Sequence, residues 1–111
     1  MKKIYYLKTC DTCRRILKET DTSNFILQEI KNEPITVKQL DELFALTKNY
    51  EALFSKMAKK YKEMDLKSQQ LTEMDYRQLI LDEYTFLKRP VIINEQEVYV
   101  GNTKKRIDIF S

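Results

Sequence analysis

The hydrophobic and polar positions of this chain change period several times, and each change marks an element. Residues 3–7 (KIYYL) form a short run of branched and aromatic side chains, which predicts a buried strand. Helical spacing takes over from about Cys10 to Glu19, and residues 24–30 (NFILQEI) alternate well enough for a second strand. A helix start follows Pro34. Thr36 and Gln39 match a capping box, Ile35 and Leu40 a hydrophobic staple, and Leu40, Leu43 and Phe44 continue on one face. Tyr50 to Phe54 reads as a break and Ser55 to Met64 as a short basic helix. Thr72 is expected to cap a further helix, with Leu71 and Tyr76 as its staple and Tyr76, Leu79, Ile80 and Tyr84 as its buried stripe. Pro90 opens a strand at Val91, Asn94 to Glu97 turn the chain, and Val98 to Val100 complete a hairpin. Gly101 and Asn102 end that strand, and Thr103 to Phe110 is expected to close the chain as a helix.

The resulting order is β-α-β, a helical stretch, then β-β-α. The first three elements predict a parallel pair joined by a right-handed crossover. The fold class is therefore α/β, a mixed β-sheet covered by helices. Its layout resembles the thioredoxin fold, read as one domain over residues 1–111 with a helical insertion at about 31–87.

Composition narrows the function. The 111 residues suffice for one core, and 42% hydrophobic with 33% charged residues is a soluble balance. No apolar run approaches the ~18–20 residues of a membrane span. The opening Met1-Lys2-Lys3 is too brief for a signal peptide, and the Ile4-Tyr5-Tyr6 run after it is too rich in tyrosine. These features predict a cytoplasmic protein without a membrane partner, in a compartment where structural disulfides are rare. An excess of 20 basic over 17 acidic residues does not argue for direct nucleic-acid binding. The absence of histidine excludes Ser-His-Asp and Cys-His catalysis and any histidine-ligated metal. A single glycine excludes a glycine-rich phosphate loop.

What remains is a Cys-x-x-Cys pair, Cys10 and Cys13, where strand gives way to helix. With Cys10 as N-cap, its sulfur can accept hydrogen bonds from backbone N–H groups near Cys13, and the helix macrodipole favours a thiolate. Arg14 and Arg15 add positive charge and Asp11 opposes it. Cys10 is then the nucleophile, and Cys13 is set to resolve a mixed disulfide. Three other uses of the pair stand beside this one. Half a zinc site lacks two ligands, and a structural disulfide would close too short a loop to restrain the unfolded chain much. Two inert buried thiols are the third. The strand-to-helix context favours redox chemistry, with no metal.

Two further features bear on the pair. Cations stand at three predicted helix starts, against the macrodipole: Arg14 and Arg15, then Lys56, Lys59 and Lys60, then Lys104 and Lys105. Converging on Cys10 they would form an anion-binding basin; pointing outward they are ordinary solvated lysines. Pro90, after Arg89, suits a strand start because it has no N–H to give the ladder.

Taken together, "TCDTCRRIL", "ALFSKMAKKYKEMDL", "TFLKRPVII" and "VYVGNTKK" resemble the arsenate reductase (ArsC) and Spx family of thioredoxin-like proteins over nearly the whole chain. The resemblance implies Cys10 as the redox cysteine, Arg89 as the arginine facing it and Pro90 as the cis-proline. It implies no bound cofactor, with glutathione as a thiol cosubstrate and glutaredoxin or thioredoxin as partner. The substrate would be a small oxyanion or a disulfide. Arg14, Lys56, Lys59, Lys104 and Pro90 are then candidates for binding it. Met57 and Asn102 stand where the reductases carry two oxyanion-binding arginines, so arsenate is expected to be a poor substrate. The Cys-x-x-Cys pair leans toward the Spx branch, which implies a redox-switched transcriptional regulator that binds RNA polymerase. The chain length and the "KRP" to "VGNTKK" ending resemble the reductase-like members more. A cytoplasmic thiol-disulfide oxidoreductase is therefore expected first and an Spx-type regulator second.

Overall fold

The computed structural model describes residues 1–101. Asn102, Lys104, Lys105 and the expected helix from Thr103 to Phe110 lie outside the described residues. The chain divides into two compact units, one made of Met1–Pro34 with the chain from Arg89 onward, the other of Ile35–Lys88.

The first unit carries the sheet. Its elements are β1 (Lys2–Tyr6), α1 (Asp11–Glu19), β2 (Ile26–Glu29), β3 (Val91–Asn94) and β4 (Glu97–Val100). The strand order is β2-β1-β3-β4. β1 and β2 run parallel with Ile4 opposite Leu27, while β1–β3 and β3–β4 are antiparallel. Ile4, Ile16, Ile92 and Tyr99 form the apolar cluster beneath α1, with Tyr6, Leu17 and Phe25 packed against it. Helical spacing of Cys13 and Ile16 supplies the buried face of α1. β2 is shorter than its alternating pattern predicts. A turn occupies its start, where the Phe25 N–H donates to the Thr22 carbonyl at 2.9 Å and the Ser23 N–H to Asp21 Oδ1 at 3.0 Å. The hairpin turn puts Glu95 at φ 58°. The amino terminus holds it there: the Met1 ammonium meets the Glu95 carboxylate at 2.8 Å, and the Glu95 N–H donates to the Met1 carbonyl at 2.8 Å.

The second unit is helical, with α2 (Val37–Thr47), α3 (Lys59–Glu63) and α4 (Glu73–Asp82). Both expected caps form. Thr36 Oγ1 accepts from the Gln39 N–H at 3.1 Å and Gln39 Oε1 from the Thr36 N–H at 3.1 Å; Thr72 and Asp75 make the same reciprocal pair before α4. Three expectations are corrected. Residues 50–54 are a break only in part, because Glu51–Leu53 winds a 3₁₀ turn. The basic helix does not reach back to Ser55. Phe54 bridges to Leu87 and the Ser55 N–H donates to the Phe86 carbonyl at 2.7 Å, and Lys56 and Met57 then turn the chain before α3 starts at Lys59. Tyr84 is not on the α4 stripe, since α4 stops at Asp82 and Tyr84 begins a 3₁₀ turn. Tyr76, Phe54 and Phe86 pack ring to ring, the Phe54 centroid lying 4.8 Å from Tyr76 and 4.9 Å from Phe86. Among the described residues, no helix is long and apolar enough to cross a membrane.

Candidate active site

β1 ends at Tyr6, and a tight turn delivers the chain to α1. The Cys10 N–H closes that turn onto the Leu7 carbonyl at 3.1 Å, and the Cys10 carbonyl accepts the first helical bond from the Arg14 N–H at 3.0 Å. Cys10 is thus the N-cap, with extended backbone at φ −91° and ψ 117°, and Cys13 stands at the third helical position. This is the carboxyl end of a parallel strand, where α/β sheets gather reacting groups.

Both cysteines are free thiols, Cys10 half-buried and Cys13 fully buried. The Cys10 sulfur makes no capping hydrogen bond of ordinary geometry. Its surroundings still favour the thiolate. Partial burial pushes the Cys10 thiol up, but the Cys13 N–H, the Cys13 thiol, the Arg89 guanidinium and the Thr12 N–H outweigh it and hold it below the ordinary cysteine value. Cys13 goes the other way. Burial, the hydrogen bond it gives Cys10 and the Cys10 charge push it up from 9.0 to about 12, against the Leu7 backbone and Arg89. Its place on the buried face of α1 makes it a strongly protonated thiol.

Arg89 is the charged side chain acting on both sulfurs. The Arg89–Pro90 peptide is cis, Pro90 is buried, and its carbonyl accepts from the Gly101 N–H at 2.9 Å. Arg89→Ala is expected to slow Cys10 alkylation near neutral pH about threefold or more while thermal stability changes little, because the guanidinium's attraction for the thiolate is lost. Alkylation kinetics with a melting curve check this; a large fall in melting temperature with unchanged reactivity would make Arg89 structural.

The other cations divide. Arg14 is ion-paired with Asp11 on the exposed surface of α1, so its charge is partly spent within its own helix turn. Lys56 and Lys59 belong to the second unit. Lys56 Nζ meets Glu51 Oε2 at 3.1 Å, beside an open cleft of about 520 Å³ walled by Phe54, Ser55, Met57 and Lys88. Met57 is 93% exposed, and Lys59 begins α3. Lys104 lies outside the described residues.

Sequence reasoning passed over β2's last two residues. Gln28 is fully buried and its amide donates to the Glu33 carbonyl at 2.9 Å. Glu29 accepts from two loop N–H groups, of Lys8 at 3.0 Å and of Asn32 at 2.9 Å. Nothing in their spacing marks either residue, because their partners are backbone groups of neighbouring turns.

Residues 5–110 match the profile of the ArsC family. Among curated proteins, the chain is 24% identical over 113 residues to the global transcriptional regulator Spx 1 of Bacillus cereus, an alignment covering 99% of this chain and 86% of the regulator. Solved structures agree on the fold. A Bacteroides fragilis protein described as ArsC family related superposes with a TM-score of 0.84 at 23% identity, over 99% of this chain and 97% of that one. The arsenate reductase from Vibrio cholerae superposes with a TM-score of 0.80 at 16% identity, again over 99% and 97%.

Proposed function

We propose, from the premise that this chain belongs to the ArsC family, that it is a cytoplasmic thiol-disulfide oxidoreductase. The observation that carries the reading is the asymmetry of the pair: a half-exposed N-cap thiol favoured as thiolate, directly above a buried thiol held protonated. The Cys10 thiolate attacks one sulfur of a substrate disulfide, forms a mixed disulfide and expels the other sulfur as a thiolate. Cys13 then loses its proton and attacks Cys10 Sγ. The second substrate thiolate leaves, and a Cys10–Cys13 disulfide remains. Two electrons from glutathione, glutaredoxin or thioredoxin restore the dithiol. Arg89 steadies the negative charge on Cys10 at both ends of the cycle.

The test is turnover of a small disulfide or a glutathionylated peptide with glutathione and glutaredoxin as reductant. Activity lost in Cys10→Ser, with mixed disulfides accumulating in Cys13→Ser, is the expected result. Mild oxidation of the parent chain should also remove two hydrogens from its intact mass, reversibly with dithiothreitol. Free thiols persisting in excess oxidant would refute the resolving role.

One observation favours a second reading. Relatives over nearly the whole chain are named global transcriptional regulators, among them Spx of Bacillus subtilis at 24% identity. In that reading the same disulfide is a switch, and the chain binds RNA polymerase without turnover. Capture of RNA polymerase by the oxidised chain, with no disulfide substrate consumed, would select it.

A further inference from the structure

Glu29 is the last residue of β2, the parallel neighbour of β1, and it faces the turn that β1 enters. Its two carboxylate oxygens are used separately. Oε2 accepts the Lys8 N–H at 3.0 Å, in the turn two residues before Cys10. Oε1 accepts the Asn32 N–H at 2.9 Å, in the turn after β2. The Glu29 carbonyl also takes the Glu33 N–H at 2.8 Å, and neighbouring Gln28 holds the Glu33 carbonyl from the other face of the strand. The turn after β2 is therefore fastened several times over, and through Glu29 that fastening extends to the turn that carries the cysteine.

Resting on the reading of Cys10 as the reactive thiol, we propose that Glu29 is a positioning residue: its carboxylate clamps the Lys8 backbone and so fixes the turn from which Cys10 enters α1. Besides this clamp, the Cys10 N–H on the Leu7 carbonyl and the Leu7 backbone on the Cys13 thiol hold the turn, while the Cys10 side chain makes no regular cap. A loop this short transmits a shift at Lys8 directly to the sulfur, whose environment depends on close N–H groups of Thr12 and Cys13, on the Cys13 thiol and on Arg89. Burial pushes the Glu29 carboxyl up, yet the N–H groups of Lys8, Asn32 and Lys31 hold it below the ordinary carboxylate value, so the clamp is charged at neutral pH.

The proposal makes a prediction opposite in sign to simple electrostatics. A nearby carboxylate repels a thiolate, so deleting its charge should by itself make Cys10 more reactive. Loss of positioning should make it less reactive. The experiment follows alkylation of Cys10 against pH in the full chain, read by peptide mass, for the parent, Glu29→Gln and Glu29→Ala. Glu29→Gln keeps the size and one acceptor oxygen, so it remains informative should Glu29→Ala fold poorly. Positioning predicts a midpoint moved upward in both, and Cys10 alkylation at pH 7 slowed about threefold in Glu29→Ala and less in Glu29→Gln, half a pKa unit being about threefold in thiolate fraction. An unchanged profile overturns the proposal, and so does a faster one, which would leave Glu29 only its charge. The parent profile separates the two layers: a parent midpoint at the ordinary cysteine value overturns the reading of Cys10 itself and the positioning role with it.

Discussion

At pH 7, iodoacetamide is expected to label Cys10 and leave Cys13 unmodified. Cys13 is pushed up from 9.0 to about 12, and 12 − 9.0 = 3, so its thiolate is about a thousandfold scarcer than that of an ordinary cysteine. Cys10 lies on the other side of the ordinary value, which widens the gap. Full burial of Cys13 adds an access barrier. A rate ratio on the order of a thousand in favour of Cys10 is the consequence, and at pH 9 Cys10 should be past its midpoint while Cys13 stays protonated. Comparable rates for the two, measured by peptide mass across pH, would refute the asymmetry on which the mechanism depends.

In the proposed cycle that asymmetry would also order the steps. Two of the influences that protonate Cys13 come from Cys10, the hydrogen bond and the charge. Both disappear when Cys10 enters a mixed disulfide. Cys13 then keeps its burial but loses its neighbour's negative charge, and its proton leaves more readily. Resolution is thereby held back until there is something to resolve. Stability carries the same signs. The raised Cys13 contributes stability that is complete below the ordinary value of 9.0 and is lost as pH climbs towards about 12. The lowered Cys10 contributes stability above the ordinary value that is lost as pH falls through its folded value.

Most elements of the fold were legible because local chemistry and tertiary demand agree. Thr36 with Gln39 and Thr72 with Asp75 mark helix starts by chemistry that operates within four residues. Ile4 and Ile92 mark strands because one sheet face is buried against α1. The failures are places where a distant segment decides. Ser55 looks helical, but its N–H is taken by Phe86 and the preceding Phe54 bridges Leu87, some thirty residues later. In the site, the Cys-x-x-Cys spacing and the strand-to-helix switch point to Cys10 as the more reactive thiol. They do not reveal how far Cys13 is shifted, since that depends on how completely the core closes over it. Arg14 is ion-paired with Asp11, three residues back on the same exposed helix face. Glu29 carried no pattern of its own, because its partners are backbone N–H groups of two loops.

Arsenate is expected to be turned over poorly, and two arginines should improve it. A doubly charged oxyanion leaving water needs several charged donors, and each missing charge-assisted hydrogen bond costs on the order of 1.5–3 kcal/mol. Arg89 supplies one guanidinium beside Cys10, while Arg14 is engaged by Asp11. The family resemblance aligns two further arginines of the reductases with Met57 and Asn102. Met57 is an uncharged thioether, 93% exposed, in a turn. Neighbouring lysines offer charge without the planar fork that holds two oxyanion oxygens at once. Two absent contacts, if roughly additive, amount to about 3–6 kcal/mol, a factor of a few hundred to many thousand in binding. The double variant Met57→Arg with Asn102→Arg should therefore show markedly higher arsenate reductase activity than the parent, with glutathione and glutaredoxin as reductant. The gain should appear chiefly as a lower KM, because the added contacts hold the bound anion rather than the reacting sulfur. Robust turnover by the parent with no gain in the double variant would show that the lysines suffice or that the alignment of Met57 and Asn102 is wrong. The disulfide chemistry of Cys10 stands on different residues and would survive that outcome.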